Sequence, residues 1–94
     1  MSDVTERDVE QRFRTCGERA GAWVAKLTSP GNAGMPDRLV LLPGGRTRLV
    51  EIKAPGERPR PLQRRIFRRL AALGHPVSVI DSLAAAEAFW GDAT

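Results

Sequence analysis

The sequence predicts an α/β fold in which one mixed sheet carries flanking helices, with the element order αβββαβα. Apolar residues recur at helical spacing in three segments, and two glycines separate a pair of β-branched and leucine-rich segments. The middle helical segment also connects the third predicted strand to the fourth. Because a helical crossover of this length favours parallel pairing, the sheet combines antiparallel and parallel neighbours. We expect one domain over residues 1–94.

The first predicted helix runs from Thr5 to about Ala20. Thr5 and Asp8 fit a capping box, in which each side chain bonds the other residue's backbone N–H at the start of a helix. Apolar residues then recur at spacings of three and four, the period of one helix face: Val9, Phe13, Cys16 and Ala20.

Three strands follow the first helix. Residues 22–27 read as a short strand, and residues 28–35, with two glycines and a proline, read as an exposed loop. Residues 37–42 and 47–53 flank a Pro-Gly-Gly-Arg segment at 43–46 and therefore predict a hairpin.

The second half of the chain predicts a helix, a strand and a last helix. Residues 54–61 contain three prolines and predict an irregular connection. Residues 62–73 return to helical spacing, and residues 76–80 read as the fourth strand. Ser82 can cap a last helix that continues through Trp90. One face of the middle helix is predicted to be apolar: Leu62, Ile66, Leu70 and Leu73.

The composition favours a polyanionic partner and a metal bound by oxygen atoms. The formal net charge is +4, and thirteen of the fifteen cationic residues are arginine. Arginine binds phosphate through two hydrogen bonds, but a GC-rich genome produces the same excess of arginine. One cysteine and one histidine exclude an internal disulfide and a cysteine-based zinc site. A metal here would be a hard cation, Mg²⁺ or Mn²⁺.

The sequence gives no sign of a membrane segment. Its longest apolar run, residues 39–42, is far shorter than the roughly 20 residues a membrane span needs. The N-terminus has no basic region leading into an apolar one, so we expect a cytoplasmic protein with no membrane partner. We also expect no organic cofactor.

Two short segments place acidic residues and a lysine at the open end of the predicted hairpin. Residues 34–38 read Gly-Met-Pro-Asp-Arg, and residues 50–53 read Val-Glu-Ile-Lys. Because side chains alternate along a strand, Glu51 and Lys53 share one face.

The expected register brings Asp37 close to these two side chains. A hairpin that turns about residues 44–45 places Asp37 opposite Ile52 or Lys53. Asp37 and Glu51 would then repel each other unless a cation lies between them, and Mg²⁺ suits such oxygen ligands. A bound metal can activate water for cleavage of phosphodiesters. The alternative is an ordinary ion pair between Glu51 and Lys53, with Asp37 capping a turn.

These segments resemble a known nuclease family. Pro-Asp at 36–37 and Glu-Ile-Lys at 51–53, on this element order, are similar to the PD-(D/E)xK nuclease superfamily with its restriction-endonuclease-like core. Residues 34–38, residues 50–56 and Gln63 resemble more closely the small members of the VRR-NUC (virus-type replication-repair nuclease) family. The resemblance extends from the first helix to about Asp81.

The resemblance implies a metal site and a catalytic group. In the family, a glutamate of the first helix completes the metal site, and Glu10 is the best match, with Glu6 as the alternative. The other implied metal ligands are Asp37, Glu51 and the carbonyl of Ile52. The resemblance also implies catalytic roles for Lys53 and Gln63, together with Asp37 and Glu51.

Cations near these motifs predict a surface for nucleic acid. Six arginines crowd into residues 58–69, where they would repel each other without phosphates nearby; the alternative is an ordinary solvated helix face. Lys26 and Ser29 resemble the family's pattern in the second element and its loop. The predicted nucleic-acid-binding residues are Lys26, Ser29, Arg38, Arg58, Arg60, Arg64, Arg65 and Arg68.

The leading hypothesis is a Mg²⁺-dependent, structure-selective DNA endonuclease. The resemblance implies a homodimer that acts on branched DNA such as four-way (Holliday) junctions in DNA repair, in a bacterial or phage-infected cell. A non-catalytic nucleic-acid-binding module or nuclease accessory subunit is the alternative, and a sequence-specific restriction-type endonuclease is a third reading. Trp23, Phe89 and Trp90 are either candidates for a dimer surface or parts of the core.

Overall fold

The computed structural model describes residues 3–93, and side chains over 3–91. Within this range the elements follow the predicted αβββαβα order, and their boundaries lie within three residues of the expected ones. They are α1 (Glu6–Arg19), β1 (Trp23–Lys26), β2 (Arg38–Leu42), β3 (Arg46–Ile52), α2 (Pro61–Ala72), β4 (Val77–Ile80) and α3 (Leu83–Ala93).

The strands form one mixed sheet in the order β1-β2-β3-β4. β1 pairs antiparallel with β2, and β2 pairs antiparallel with β3. β3 and β4 are parallel and are joined by α2, which confirms the predicted crossover. The ends of β2 and β3 that carry the acidic motifs therefore lie side by side in the middle of the sheet.

Two helices begin with the caps that the sequence predicts. The Thr5 side chain accepts a hydrogen bond from the backbone N–H of Asp8 at 3.2 Å, and Asp8 Oδ2 accepts from the Thr5 N–H at 2.9 Å. These two bonds form the capping box of α1. Ser82 Oγ accepts from the backbone N–H of Ala85 at 2.9 Å and caps α3.

The main core lies between one face of the sheet and the pair of helices α1 and α3. Val50 and Ile52 contribute from β3, and Phe13 is fully buried on α1. The Phe13 ring lies 5.0 Å from that of Phe89 and 4.7 Å from that of Trp90 between ring centroids. Phe89 and Trp90 therefore belong to the core cluster, so of the three aromatic candidates for a dimer surface only Trp23 is largely exposed.

The opposite face of the sheet carries α2. Glu51 and Lys53 alternate with the core residues of β3 and therefore point to this side, where both bond to Gln63. The expected apolar face of α2 is partly wrong, because Leu62 and Leu73 are 46% and 67% exposed. The less exposed side chains of α2 are instead Gln63, Ile66, Phe67 and Leu70.

The hairpin register differs by one residue from the expected one. Leu42 pairs with Arg46, so the loop contains three residues, 43–45, where the prediction had four. Gly44 and Gly45 both adopt positive φ, which permits this tight turn. Arg38 pairs with Val50, and continuing this register places Asp37 opposite Glu51 and not opposite Ile52 or Lys53.

Among residues 3–93, no helix has the length and apolar character needed to cross a membrane.

Candidate functional site

Asp37 is held between two neighbouring strands at the start of β2. Its carbonyl oxygen accepts a hydrogen bond from the backbone N–H of Leu27 at 2.9 Å, and its Oδ1 accepts from the N–H of Ile52 at 3.1 Å. The preceding residue, Pro36, is fully buried. These contacts fix both the backbone and the carboxylate of Asp37 next to the end of β3.

The loop before Asp37 depends on a glycine at position 34. Gly34 has a φ of +94°, and a Cβ there would lie 3.1 Å from Ile66 Cγ1 and 3.2 Å from both Leu62 Cγ and the Leu62 carbonyl. A side chain here would combine a strained backbone with tight contacts to α2, so glycine suits this close approach of the loop. The glycine of the Gly-Met-Pro-Asp motif thus acts on the position of Asp37 through packing.

Glu51, Lys53 and Gln63 form a buried polar cluster. The Glu51 Oε2 lies 3.3 Å from the Lys53 ammonium nitrogen and accepts from Gln63 Nε2 at 3.0 Å. The Gln63 Oε1 accepts from Lys53 Nζ at 3.0 Å and from the backbone N–H of Arg60 at 2.8 Å. One amide therefore joins the acid, the lysine and the start of α2.

One acceptor of this cluster is left over. Glu51 Oε1 is buried and has no hydrogen-bond partner among the described residues. A buried carboxylate oxygen without a partner is costly, and a cation is the ligand that would remove this cost. The structure therefore leaves an oxygen of Glu51 available for a metal.

Burial perturbs both carboxylates, and the charge of Asp37 also perturbs Glu51. Burial raises the pKa of Asp37 above its ordinary value, against the opposing effects of the Ile52 N–H and of the Arg38 guanidinium. Burial, and then the neighbouring charge of Asp37, raise the pKa of Glu51, while Lys53 and Gln63 lower it. The pair thus behaves as two crowded acids that a cation would stabilise in the charged form.

Arg38 lies beside this pair and contacts Asp37. Its NH1 donates to the carbonyl of Asp37 at 2.9 Å and lies 3.6 Å from Asp37 Oδ2. The side chain is only 11% exposed, which is little surface for the DNA contact predicted from the sequence. Sequence reasoning missed this contact with Asp37, because an arginine that follows an aspartate points to the opposite face in an ideal strand.

Glu10 is not brought into the acidic pair. Its Oε2 accepts from Arg14 Nε at 3.0 Å and from Arg14 NH2 at 2.9 Å, one helical turn away. Among the residues described, no three acidic, histidine or cysteine side chains stand close enough together to hold a metal. Glu6, the alternative ligand, is exposed on the first turn of α1. The role of the helix glutamate stays a prediction.

The predicted DNA-binding residues lie mostly in exposed positions. The arginines of the loop and of α2 are exposed, and Arg64 NH1 donates to the Pro59 carbonyl at 3.0 Å. Lys26 is exposed at the end of β1, whereas Ser29 is partly buried. Because Gln63 anchors the start of α2 to Lys53, the exposed arginines begin next to the acidic pair: Arg58, Arg60, Arg64, Arg65 and Arg68.

The arrangement has the parts needed for metal-assisted hydrolysis of a phosphodiester. Asp37 and Glu51 supply hard oxygen ligands, and Lys53 supplies a fixed positive charge beside them. Gln63 holds the lysine and the glutamate in place.

Comparisons with known proteins agree on one family. A family model described as "VRR-NUC domain" matches residues 3–84. The protein named "Putative nuclease p44" of Acyrthosiphon pisum secondary endosymbiont phage 1 is 47% identical over 82 residues, which cover 87% of this chain and 88% of that protein. A solved structure described as "VRR_NUC domain" superposes with a TM-score of 0.83 at 32% identity, covering 92% of this chain and 94% of the other.

Proposed function

Because this chain belongs to the VRR-NUC nuclease family, we propose that it is a Mg²⁺-dependent endonuclease that hydrolyses phosphodiester bonds in branched DNA. One observation carries the proposal: a buried carboxylate, Glu51, shares a hydrogen-bonded cluster with Lys53 and Gln63 and retains an oxygen without a partner beside Asp37. An ordinary ion pair on a strand edge would be exposed and would not leave a buried acceptor unused.

The residues present fit a hard divalent cation. Asp37 and Glu51 offer oxygen ligands only, and Asp37 has one oxygen, Oδ2, to which no described residue donates a hydrogen bond. Oxygen ligands of this kind suit Mg²⁺, and Mn²⁺ is expected to substitute for it. The carbonyl of Ile52 and the carboxylate of Glu10 complete the proposed ligand set, and Glu10 has to leave Arg14 to take part.

A divalent metal held by these residues would supply an activated water and polarise the scissile phosphate. Lys53 contributes a positive charge where negative charge develops on the phosphoryl oxygens, and it can also orient the attacking water. Gln63 keeps Lys53 directed at the site by accepting from its ammonium group. The backbone N–H of Ile52 fixes the orientation of the Asp37 carboxylate, which would be one of the ligands.

The arginines of α2 provide the proposed surface for the DNA backbone. Guanidinium groups bind phosphates in a bidentate manner, and their contacts carry no base sequence information. The chain contains no helix-turn-helix or zinc-finger signature, which favours recognition of DNA shape. The location of Gln63 at the start of α2 places this surface next to Lys53.

We propose further that the protein works as a homodimer. Trp23 is 68% exposed and alternates with the core residue Val24, so it lies on the sheet face that α2 covers only in part. Leu39 and Leu41 lie on the same face and are half-buried. An apolar sheet face of this kind supports an isologous contact, which would present two sites to the two strands of a symmetric junction.

A panel of labelled DNA substrates tests the proposed activity. Four-way junctions, flaps, single strands and duplexes are incubated with Mg²⁺, Mn²⁺ or EDTA, and wild type is compared with Lys53→Ala. Arg7→Ala, which removes an exposed cation from α1, serves as the matched control. The proposal requires metal-dependent cleavage of branched DNA by wild type and by the control, with loss of cleavage in Lys53→Ala.

Other results would point to another function. Metal-independent binding of every substrate without cleavage would indicate a non-catalytic nucleic-acid-binding module instead of an endonuclease. Cleavage confined to one duplex sequence would indicate a restriction-type enzyme. Sedimentation of wild type and of Trp23→Glu tests the dimer, since a charge at this position should leave only monomers if the sheet face is the interface.

A further inference from the structure

Each carboxylate of the proposed metal site has its own nearby cation. Arg38 NH1 lies 3.6 Å from Asp37 Oδ2, and Lys53 Nζ lies 3.3 Å from Glu51 Oε2. The side chains of Arg38 and Lys53 are each only 11% exposed, so water and salt screen them weakly. Without a metal, the site therefore pairs two carboxylates with two cationic side chains.

Arg38 NH1 donates to the backbone carbonyl of Asp37, but Arg38 makes no hydrogen bond to the Asp37 carboxylate. Ile52 N–H orients the carboxylate through Oδ1, and Leu27 N–H holds the Asp37 carbonyl. The contact from Arg38 to Oδ2 is longer than a hydrogen bond. What Arg38 adds to the carboxylate is therefore mainly charge.

The burial of Arg38 is also unfavourable for its own hydrogen bonding. Its Nε is buried and finds no acceptor among the described residues. A buried donor without an acceptor costs free energy, so this placement has to be offset by another interaction. Two interactions with Asp37 can do so: the hydrogen bond from NH1 to its carbonyl and the attraction of the guanidinium for its carboxylate. Lys26, its partner across β1 and β2, is exposed and contributes a screened charge only.

We infer that Arg38 is an internal counter-charge for Asp37, which weakens metal binding in the free protein and couples metal uptake to the arrival of a DNA phosphate. This inference rests on the proposed metal-dependent function. A divalent cation entering a site that already balances its charges meets repulsion from Arg38. The negative charge of a phosphodiester at the same place offsets that repulsion, so DNA and metal each strengthen the binding of the other.

Calorimetric titration with Mn²⁺ in the absence of DNA tests the role of Arg38. Arg38→Gln should bind Mn²⁺ at least about tenfold more tightly than wild type, because a partly buried unit charge a few ångströms from a cation has an effect of this order or larger. Arg38→Lys keeps the charge and should bind like wild type. Asp37→Asn removes a ligand and should bind more weakly than all three.

A second measurement uses only the wild type. Ca²⁺, whose coordination is larger and less strict than that of Mg²⁺, is titrated with and without a four-way DNA junction, and junction binding is measured with and without Ca²⁺. Ca²⁺ and the junction should each strengthen the binding of the other by the same factor. This measurement on wild type remains informative if circular dichroism shows that Arg38→Gln does not fold.

The outcomes separate the inference from the proposed function. If wild type binds Mn²⁺ but Arg38→Gln binds it equally or more weakly, the counter-charge role is wrong while the metal site stands. Absence of any coupling between Ca²⁺ and the junction in wild type would also overturn the role. A wild type that binds neither metal, with or without DNA, would overturn the metal site and this inference together.

Discussion

The backbone N–H of Ile52 donates a hydrogen bond to Asp37 Oδ1 at 3.1 Å. This bond joins the last residue of β3 to the residue before β2 and holds the two acidic motifs together. The register of the hairpin places Asp37 opposite Glu51, so both carboxylates lie at the same end of neighbouring strands. A slip of one residue would send Asp37 to the other face, and the site would be lost.

Lys53→Ala should abolish cleavage with little change in DNA binding. Lys53 is buried beside Glu51, whereas the arginines proposed to bind DNA are exposed. Loss of a fixed charge that stabilises the transition state costs about 10²–10³-fold in rate. Single-turnover cleavage and a binding titration in EDTA measure the two effects separately.

The control for this substitution is Arg7→Ala, which should keep the wild-type rate. Lys53→Ala also leaves Glu51 without its ion pair, so its thermal midpoint is measured alongside. A folded Lys53→Ala protein that still cleaves at the wild-type rate would remove Lys53 from the chemistry.

Gln63→Ala should reduce cleavage by about 10–100-fold, the loss typical of groups that orient the ligands and catalytic residues of a metal site. Gln63 bonds Glu51 and Lys53 at the same time, and both would lose a hydrogen bond in a buried place. Single-turnover rates at saturating DNA measure this loss. Gln11→Ala on the exposed side of α1 is the matched control. Equal rates for Gln63→Ala and wild type would show that the amide has no positioning role.

The sequence predicted the order of elements well because their signals are local. The capping box at Thr5 and Asp8, the paired glycines and the proline-rich connection each act within a few residues, and each appears in the structure as expected. The face of Glu51 and Lys53 also followed from simple alternation along β3.

The features that the sequence did not give depend on tertiary contacts. The hairpin loop was predicted one residue too long, and the shorter loop in the structure changes the partner of Asp37. The inward face of α2 centres on the polar Gln63 because Glu51 and Lys53 lie beneath it, and an apolar pattern cannot reveal this. The contact of Arg38 with Asp37 likewise depends on a side-chain conformation and not on strand position.

Cleavage should lose activity on acidification at a pH above the ordinary range of carboxyl groups. Burial raises the pKa of Asp37 and of Glu51, so both take up a proton, and lose the metal, before exposed acids do. Because a bound cation competes with these protons, a pH profile of the single-turnover rate is measured at Mg²⁺ well below saturation, where the acidic limb reflects the metal-free carboxylates. A limb at the pH of ordinary exposed acids would contradict this expectation.

In the metal-free protein, the same raised pKa values should favour folding at low pH, the opposite of the pH dependence expected for cleavage. Because the folded state binds these protons more tightly than the unfolded chain, the contribution of Asp37 to stability is fully present at low pH. It is lost as the pH rises through the raised pKa. The thermal midpoint of Asp37→Asn relative to wild type should therefore increase with pH in EDTA, and a difference independent of pH would contradict the cited shift.

Arginines on the exposed side of α2 should set the salt dependence of DNA binding. If Arg65 and Arg68 each contact one phosphate, replacing both with alanine reduces the slope of log K against log salt by about 1.8, which is 0.9 for each contact. Arg7→Ala on α1 should leave the slope unchanged. Fluorescence anisotropy between low and moderate salt gives these slopes, and equal slopes for all proteins would place the DNA elsewhere.

Gly34→Ala should destabilise the protein and weaken cleavage through the position of Asp37. The new Cβ would meet Ile66 and Leu62 at 3.1 and 3.2 Å, in a backbone conformation that alanine disfavours. Gly31→Ala is the matched control, because Gly31 has a similar φ of +82° and open space around it. Both substitutions carry the backbone cost, of about 1–2 kcal/mol.

The difference between the two variants isolates the close approach to α2. Overpacking of this kind costs about 1–3 kcal/mol, so urea unfolding should show Gly34→Ala less stable than Gly31→Ala by that amount. Because Gly34 lies three residues before Asp37, only Gly34→Ala should also slow cleavage under conditions where both proteins are folded. Equal stability and equal rates for the two variants would mean that the loop can move away from α2 without disturbing Asp37.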